Sequence, residues 1–452
     1  MCGRISCTCW PAAASCAAAG RTSRWSWNAR VTERWRRDDP ALSSVLRRRP
    51  ERCDTGLRPS PEHRTGVSAL ALPSSRDEAW RWADLSALPA LIERPSSGAA
   101  GELPAALGDG PRLVFVDGRL DAGRSDVGPV QIGQVDARSE HPLARLANGA
   151  GWTLRLDRDA AVGLIEIVHV ATGGANHLPA LIDLGEDAVA TIVETFIGDG
   201  WANRLTAIRL ASSARLMRAV RLAQESGFQS LRDEAEVARG ASLVTTVLAE
   251  GGAGSRIDGH LRLTGEAAFA EMGGALLTRG EQRHEAAVVV RHEAEHGMSR
   301  QTWRAVADDT AMASLSARVE VARGAQKTDA EQSLRGLLLK RAATVNLKPE
   351  LEIFADDVKC AHGATVGELD RNALFYLESR GVQPDEAKAL LTRAFVADAL
   401  ARVGQEEVRE AFLGFAIQWL TQNPFASSAV EKPSSGQVDT RFSTSLETNG
   451  EG

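Results

Sequence analysis

The sequence predicts a mainly β protein built as a repeat, with α-helices toward its C-terminal end. Three observations carry that reading. Short β-prone runs, many opened by a small residue, recur at intervals of roughly 20 to 30 residues, the period of a solenoid coil. They lie at 188–195, 214–222, 241–248, 286–291, 311–321, 342–347 and 351–360. Helical periodicity is scarce between about 108 and 365 and takes over after Gly367. At 452 residues the chain also exceeds the size at which one compact core keeps growing. Small residues at matching places let turns stack closely, and a strand in every turn buries one continuous core. An antiparallel sandwich would satisfy the same pattern, so the pattern alone leaves it open.

Residues 1–66 differ from the rest of the chain. They hold five of the six cysteines (Cys2, Cys7, Cys9, Cys16, Cys53), four of the ten tryptophans and no lysine. A secretory signal ending at Cys16 fails because its would-be apolar core contains Thr8, Cys9, Trp10 and Pro11. A metal site from Cys2, Cys7, Cys9 and Cys16 lacks paired C-x-x-C spacing. The remaining expectation is a wrongly extended start, with Val67 as the true one. These residues carry 13 arginines against 6 acidic groups, so 67–452 holds 40 basic and 53 acidic residues within a net charge of -6. An acidic body offers no basic stripe to nucleic acid. With 1–66 set aside one cysteine remains, which fits a reducing cytoplasm. No apolar run reaches the 18 residues of a membrane helix.

After Gly367 three helices are expected at 369–381, 384–404 and 405–422. Asp370 and Gln383-Pro384 are their starts, and Gly381 and Gly404 their stops. Their simplest role is a cap over the open end of the solenoid. The Ser-, Thr-, Gly- and Glu-rich stretch 426–452 reads as a disordered tail.

Cys360 and His362 are the residues that demand explanation. The stretch 351–360 alternates Leu351, Ile353 and Ala355 with Glu352, Phe354 and Asp356, the period of a half-buried strand. Residues i and i+2 of a strand face the same way, about 7 Å apart at the backbone. A thiolate beside an imidazole suits zinc, iron or an iron–sulfur cluster. Two ligands do not close a four-coordinate site, and a lone strand cysteine also serves as a small buried hydrophobe. Spacing alone leaves both roles open.

The same region resembles a known family. Residues 355–370 (ADDVKCAHGATVGELD), 325–339 (AQKTDAEQSLRGLLL) and 373–391 (ALFYLESRGVQPDEAKALL) are similar to the SufB/SufD iron–sulfur cluster assembly scaffolds. Weaker echoes at 75–88 and 112–120 extend the likeness over most of 75–420. CAHGAT at 360–365 resembles the SufD branch, because the SufB branch carries an acidic EHEA-type sequence there.

The resemblance implies a right-handed parallel β-helix with α-helical N-terminal and C-terminal segments. The expected division is a disordered or wrongly assigned extension at 1–66, a helical segment at 67–107, the β-helix at 108–366, a helical domain at 367–425 and the tail at 426–452. It further implies a non-catalytic scaffold that pairs with a SufB-like subunit and docks a SufC-like ATPase through the C-terminal helices. Cys360 and His362 match the positions at which the family supplies ligands to a shared assembly site, so the partner would complete the coordination of iron or a transient cluster. Reduced flavin is associated with such complexes, but no residue signature for it is seen.

Two rival enzymes come from other classes. His292-Glu293-Ala294-Glu295-His296 matches H-E-x-x-H, a zinc hydrolase signature that requires a helix. It follows a β-branched run (Val288, Val289, Val290) and precedes a Gly297 turn, and on a strand its histidines stand about 13 Å apart. His296 is therefore expected to be structural. A carbohydrate-active β-helix enzyme needs exposed aromatics and facing acids. Tyr376 is the one tyrosine, and Asp356 and Asp357, as strand neighbours, would face opposite ways. No G-x-x-x-x-G-K-[ST] loop is present, so any ATP use belongs to a partner.

Overall fold

Two strands joined by a sharp corner form each repeat, and the computed structural model, which describes residues 72–422, winds this unit into a parallel β-solenoid of about eight turns. The readings for 1–66 and 426–452 lie outside the described residues. Ahead of the solenoid stand a single helical turn (Glu78–Trp80) and the short α1 (Leu88–Glu93). The described part of 67–107 is otherwise irregular, because Pro95, Pro104 and the Ser96-Ser97-Gly98 run interrupt helix formation.

A hairpin of β1 (Arg112–Val116) and β2 (Arg119–Leu120) and an antiparallel pair of β3 (Val130–Val135) and β4 (Gly149–Leu156) open the first turns. The long β5 (Ala161–Leu184) and β6 (Val189–Leu210) bend at Gly173, Gly174, Gly198 and Gly200 and so contribute to both sheets. Then come β7 (Arg215–Leu222), β8 (Phe228–Val237), β9 (Ser242–Ala249), β10 (Gly254–Leu263), β11 (Phe269–Thr278) and β12 (Arg283–His292). They are followed by β13 (Met298–Ala307), β14 (Met312–Val321), β15 (Asp329–Leu338), β16 (Thr344–Ile353) and β17 (Lys359–Glu368). From β6 to β15 each strand pairs in parallel with the second one after it. One sheet runs β7, β9, β11, β13, β15, β17, and the other β8, β10, β12, β14, β16.

One corner repeats in every coil. Asp159, Asp187, Ser213, Gly240, Ala267, His296 and Lys327 all take left-handed backbone angles near φ 60°. Each donates its N–H to the coil above, as Ser213 N to Arg239 O at 2.9 Å and His296 N to Gln326 O at 2.9 Å. The residue after the corner is small and buried, as at Ala188, Ala214, Ala241 and Ala268, which lets successive turns stack. Of the runs read from sequence, 351–360 is in fact two strands, since Phe354 to Val358 forms the turn between β16 and β17.

The core lies between the sheets, with Trp152, Phe196, Leu231, Leu261, Trp303 and Leu334 among its buried members. The sheet faces are covered from outside. Capped by Asp370, whose side chain accepts from Asn372 N, α2 (Arg371–Ser379) leads into α3 (Pro384–Leu400) and α4 (Glu406–Gln422). Val396, Leu400, Phe412 and Trp419 of these helices bury against Ala219, Leu248, Ala275 and Val306 on the outer face of the first sheet. Each such burial contributes about 1.5–3 kcal/mol for a Val, Leu or Phe. On the other sheet, Trp80 stacks over Arg256, 4.4 Å from guanidinium to ring centre. The expected cap is thus a lateral brace: the helices follow their apolar match to a sheet face and leave the last coil uncovered among the described residues.

Candidate functional site

The site grows out of that uncovered coil. β16 pairs only with β14 and β17 only with β15 among the described residues, so each presents one open edge. Cys360 and His362 share a face of β17, in register with Ala330 and Gln332 of β15, which point into the core. Their side chains therefore continue the inward-facing column of the solenoid. Where Ala330 is buried, Cys360 is half-buried beside Val319, Val321 and Ala330, and His362 is exposed. On β16 the same holds for Val345, Leu347, Leu351 and Ile353, which stack on buried Ala313, Leu315, Val319 and Val321 yet remain half-exposed.

Burial pushes the Cys360 thiol up, the Ala330 backbone opposes it through a hydrogen bond, and the Asp329 carboxylate adds to the rise. A thiol shifted this way favours the protonated form, which is the slower to oxidise. Cys360 is a free cysteine. Among the described residues no three His, Cys, Asp or Glu side chains gather as a metal group, so Cys360 and His362 offer at most part of a coordination shell.

The H-E-x-x-H residues are pulled apart in role. His292 ends β12, is buried, and its Nε2 lies 2.8 Å from Ser299 Oγ. Burial drives its pKa down to about 4, so the ring is neutral. A Cβ on Gly297 would stand 2.7 Å from His292 Nδ1, which explains the glycine at that turn. His296 is the exposed corner residue, and Glu293 pairs with Arg262 and Arg291. Asp356 and Asp357 lie in the turn between β16 and β17 rather than on a strand, and Asp357 pairs with Lys327.

Sequence reading missed a charged cluster inside the solenoid. Arg218 Nε donates to Glu194 Oε1 at 2.6 Å and its Nη1 to Asp233 Oδ2 at 2.5 Å, while His169 Nε2 lies 3.0 Å from Glu194 Oε2. All four are buried. The signal was present as charges on the inward parity of β-prone runs, legible only once the register is known. Burial alone would raise the Glu194 carboxyl, but Arg218 and His169 hold it down to about 2, and burial takes His169 down to about 4.

Residues 168–395, from within β5 into α3, match the family described as SUF system FeS cluster assembly, SufBD core domain. That span is half of the chain. The chain belongs to the SufB/SufD family. It is 28% identical to the iron-sulfur cluster assembly protein SufD of Escherichia coli over 79% of this chain and 92% of that protein. It is 32% identical to the chloroplastic protein ABCI7 of Arabidopsis thaliana over 48% of each. It is 30% identical to SufD of Bacillus subtilis over 33% of this chain and 34% of that one. These relatives identify it as a SufD-type iron–sulfur cluster assembly protein. No described helix is long and apolar enough to cross a membrane.

Proposed function

We propose that this chain is a scaffold subunit without catalysis of its own, which pairs with a SufB-like subunit through the open edges of β16 and β17 and presents Cys360 and His362 to a shared assembly site. The observation that carries this is the uncovered last coil. Its inward column is half-exposed, its edges are unpaired, and the two candidate ligands belong to that column. A second β-helix adding strands there would cover the apolar row and supply the missing ligands. Iron or a transient cluster is then cargo at the interface. Reduced flavin stays without a residue to hold it.

The other features of the complex follow the family. The chain winds right-handed, as parallel crossovers do, with the β-helix at 108–366 and a helical domain at 367–425. A SufC-like ATPase docks on those helices, a role supported by Phe375 and Tyr376 on α2, 73% and 54% exposed. The complex works in the cytoplasm and touches neither nucleic acid nor membrane.

Anaerobic purification of the tagged chain from its own cells, with iron and sulfide assayed, tests the proposal. Cys360→Ser and His362→Ala are expected to leave fold and complex intact and to reduce bound iron and sulfide. Loss of the complex in these variants would give the two residues a packing role instead.

A further inference from the structure

We infer that Gln332 is a positioning residue for His362: its side-chain carbonyl accepts a hydrogen bond from one imidazole nitrogen and leaves the other nitrogen bare toward iron. The inference deepens the ligand role proposed above and rests on it. Gln301, Gln332 and His362 form one column, because Gln301 pairs with Gln332 between β13 and β15, and Gln332 with His362 between β15 and β17. Both glutamines are buried in positions that Ala and Leu fill elsewhere on these strands, as at Ala330 and Leu334.

The two amides are held alike. Gln301 Nε2 donates to Arg318 O at 3.1 Å, and Gln332 Nε2 to Glu350 O at 3.4 Å, and Arg318 and Glu350 are themselves in register. With the nitrogens turned to those carbonyls, both Oε1 atoms are buried and have no partner. A buried polar atom left unmet costs about 1–3 kcal/mol. The rung above Gln301 is an amide whose nitrogen turns to Glu350 O and gives nothing to Gln301 Oε1. Above Gln332 the rung is an imidazole, one strand spacing of about 4.8 Å away, with an N–H to give and a lone pair to keep. His362 is exposed, so rotation of its side chain over Gln332 displaces no core residue. Imidazoles that bind metal are commonly held through their other nitrogen by a carbonyl or carboxylate, which fixes tautomer and ring direction.

The test reads the tautomer directly and needs no iron. Long-range proton–nitrogen spectra of the full chain carrying ¹⁵N-histidine, taken at about pH 8.5 where an ordinary imidazole is neutral, distinguish the two forms, and His362→Ala identifies the signal. One tautomer of His362 is expected to dominate in the wild type. In Gln332→Leu the populations should move to those of free imidazole. Gln301→Leu loses an equivalent buried amide one coil below and should change nothing at His362. Gln332→Met replaces Gln332→Leu if the latter does not fold. Free-imidazole populations in the wild type, unchanged populations in the Gln332 variant, or an equal change in Gln301→Leu would each overturn the inference. Failure of the ligand role would show separately, as unchanged iron and sulfide in His362→Ala.

Discussion

The middle coils and the last coil are made of the same repeat and differ in what lies above them. At β13, Ser299, Gln301, Trp303 and Ala305 face inward and are fully buried by β15. The corresponding positions of β17 are Cys360, His362, Ala364 and Val366, with no described strand above. Charges in the middle coils are paired and sealed, as Arg218 is by Glu194 and Asp233. At the last coil the metal-loving pair is left accessible. The difference teaches that one inward column can pack a core in the middle of the solenoid and present an open surface at its end.

The comparison breaks most visibly at Arg218. Arg218→Met leaves Glu194 and Asp233 as buried carboxylates without their cation, and is expected to cost about 3–5 kcal/mol in urea unfolding. A loss below about 1 kcal/mol would mean that the middle coils are less sealed than their burial indicates.

Acid should act on the middle coils next. His169, His177, His284 and His292 are all held near pKa 4, first by burial. Below pH 6.5 the unfolded chain takes up protons that the folded chain refuses, so stability falls as pH drops from about 6.5 to about 4. In His284→Gln the slope of stability against pH in that window should be shallower by about one proton. An unchanged slope would show that water reaches this ring.

At the last coil the same kinds of change should leave stability nearly alone. Val366 is 45% exposed and Phe354 52%. Val366→Asp and Phe354→Asp are expected to shift stability by about 0.5 kcal/mol or less while abolishing association with a SufB-like subunit, measured by analytical ultracentrifugation. Smallest of all on the fold should be Phe375→Ala, whose expected effect is a weaker grip on the ATPase in a binding titration. Pairing that survives Val366→Asp would move the interface away from β17.

The sequence made the helices legible because their ends are chemical: Asp370 caps α2, Pro384 opens α3 and Gly381 takes φ 88° between them. It made legible the strands that carry an aliphatic run, such as β9 and β14. It hid β8, whose FQSLRDEAEV reads as polar although Gln229 and Asp233 are buried on its inward face, where Gln224 and Arg218 pair with them. The spacing of Cys360 and His362 was readable from the two-residue period of a strand. That they stand on an open edge was not, since the position of the helices beside the sheet rather than over its end depends on a match between surfaces far apart in sequence.

The central claim is that the last coil is where a second subunit pairs, and hydrogen exchange of the full chain, alone and mixed with a SufB-type relative, tests it most directly. The account predicts slowed exchange concentrated in the backbone amides of β16 and β17, with β3 and α2 unchanged. Protection at β3 or on the lateral helices, with β16 and β17 exchanging as fast as before, would contradict it.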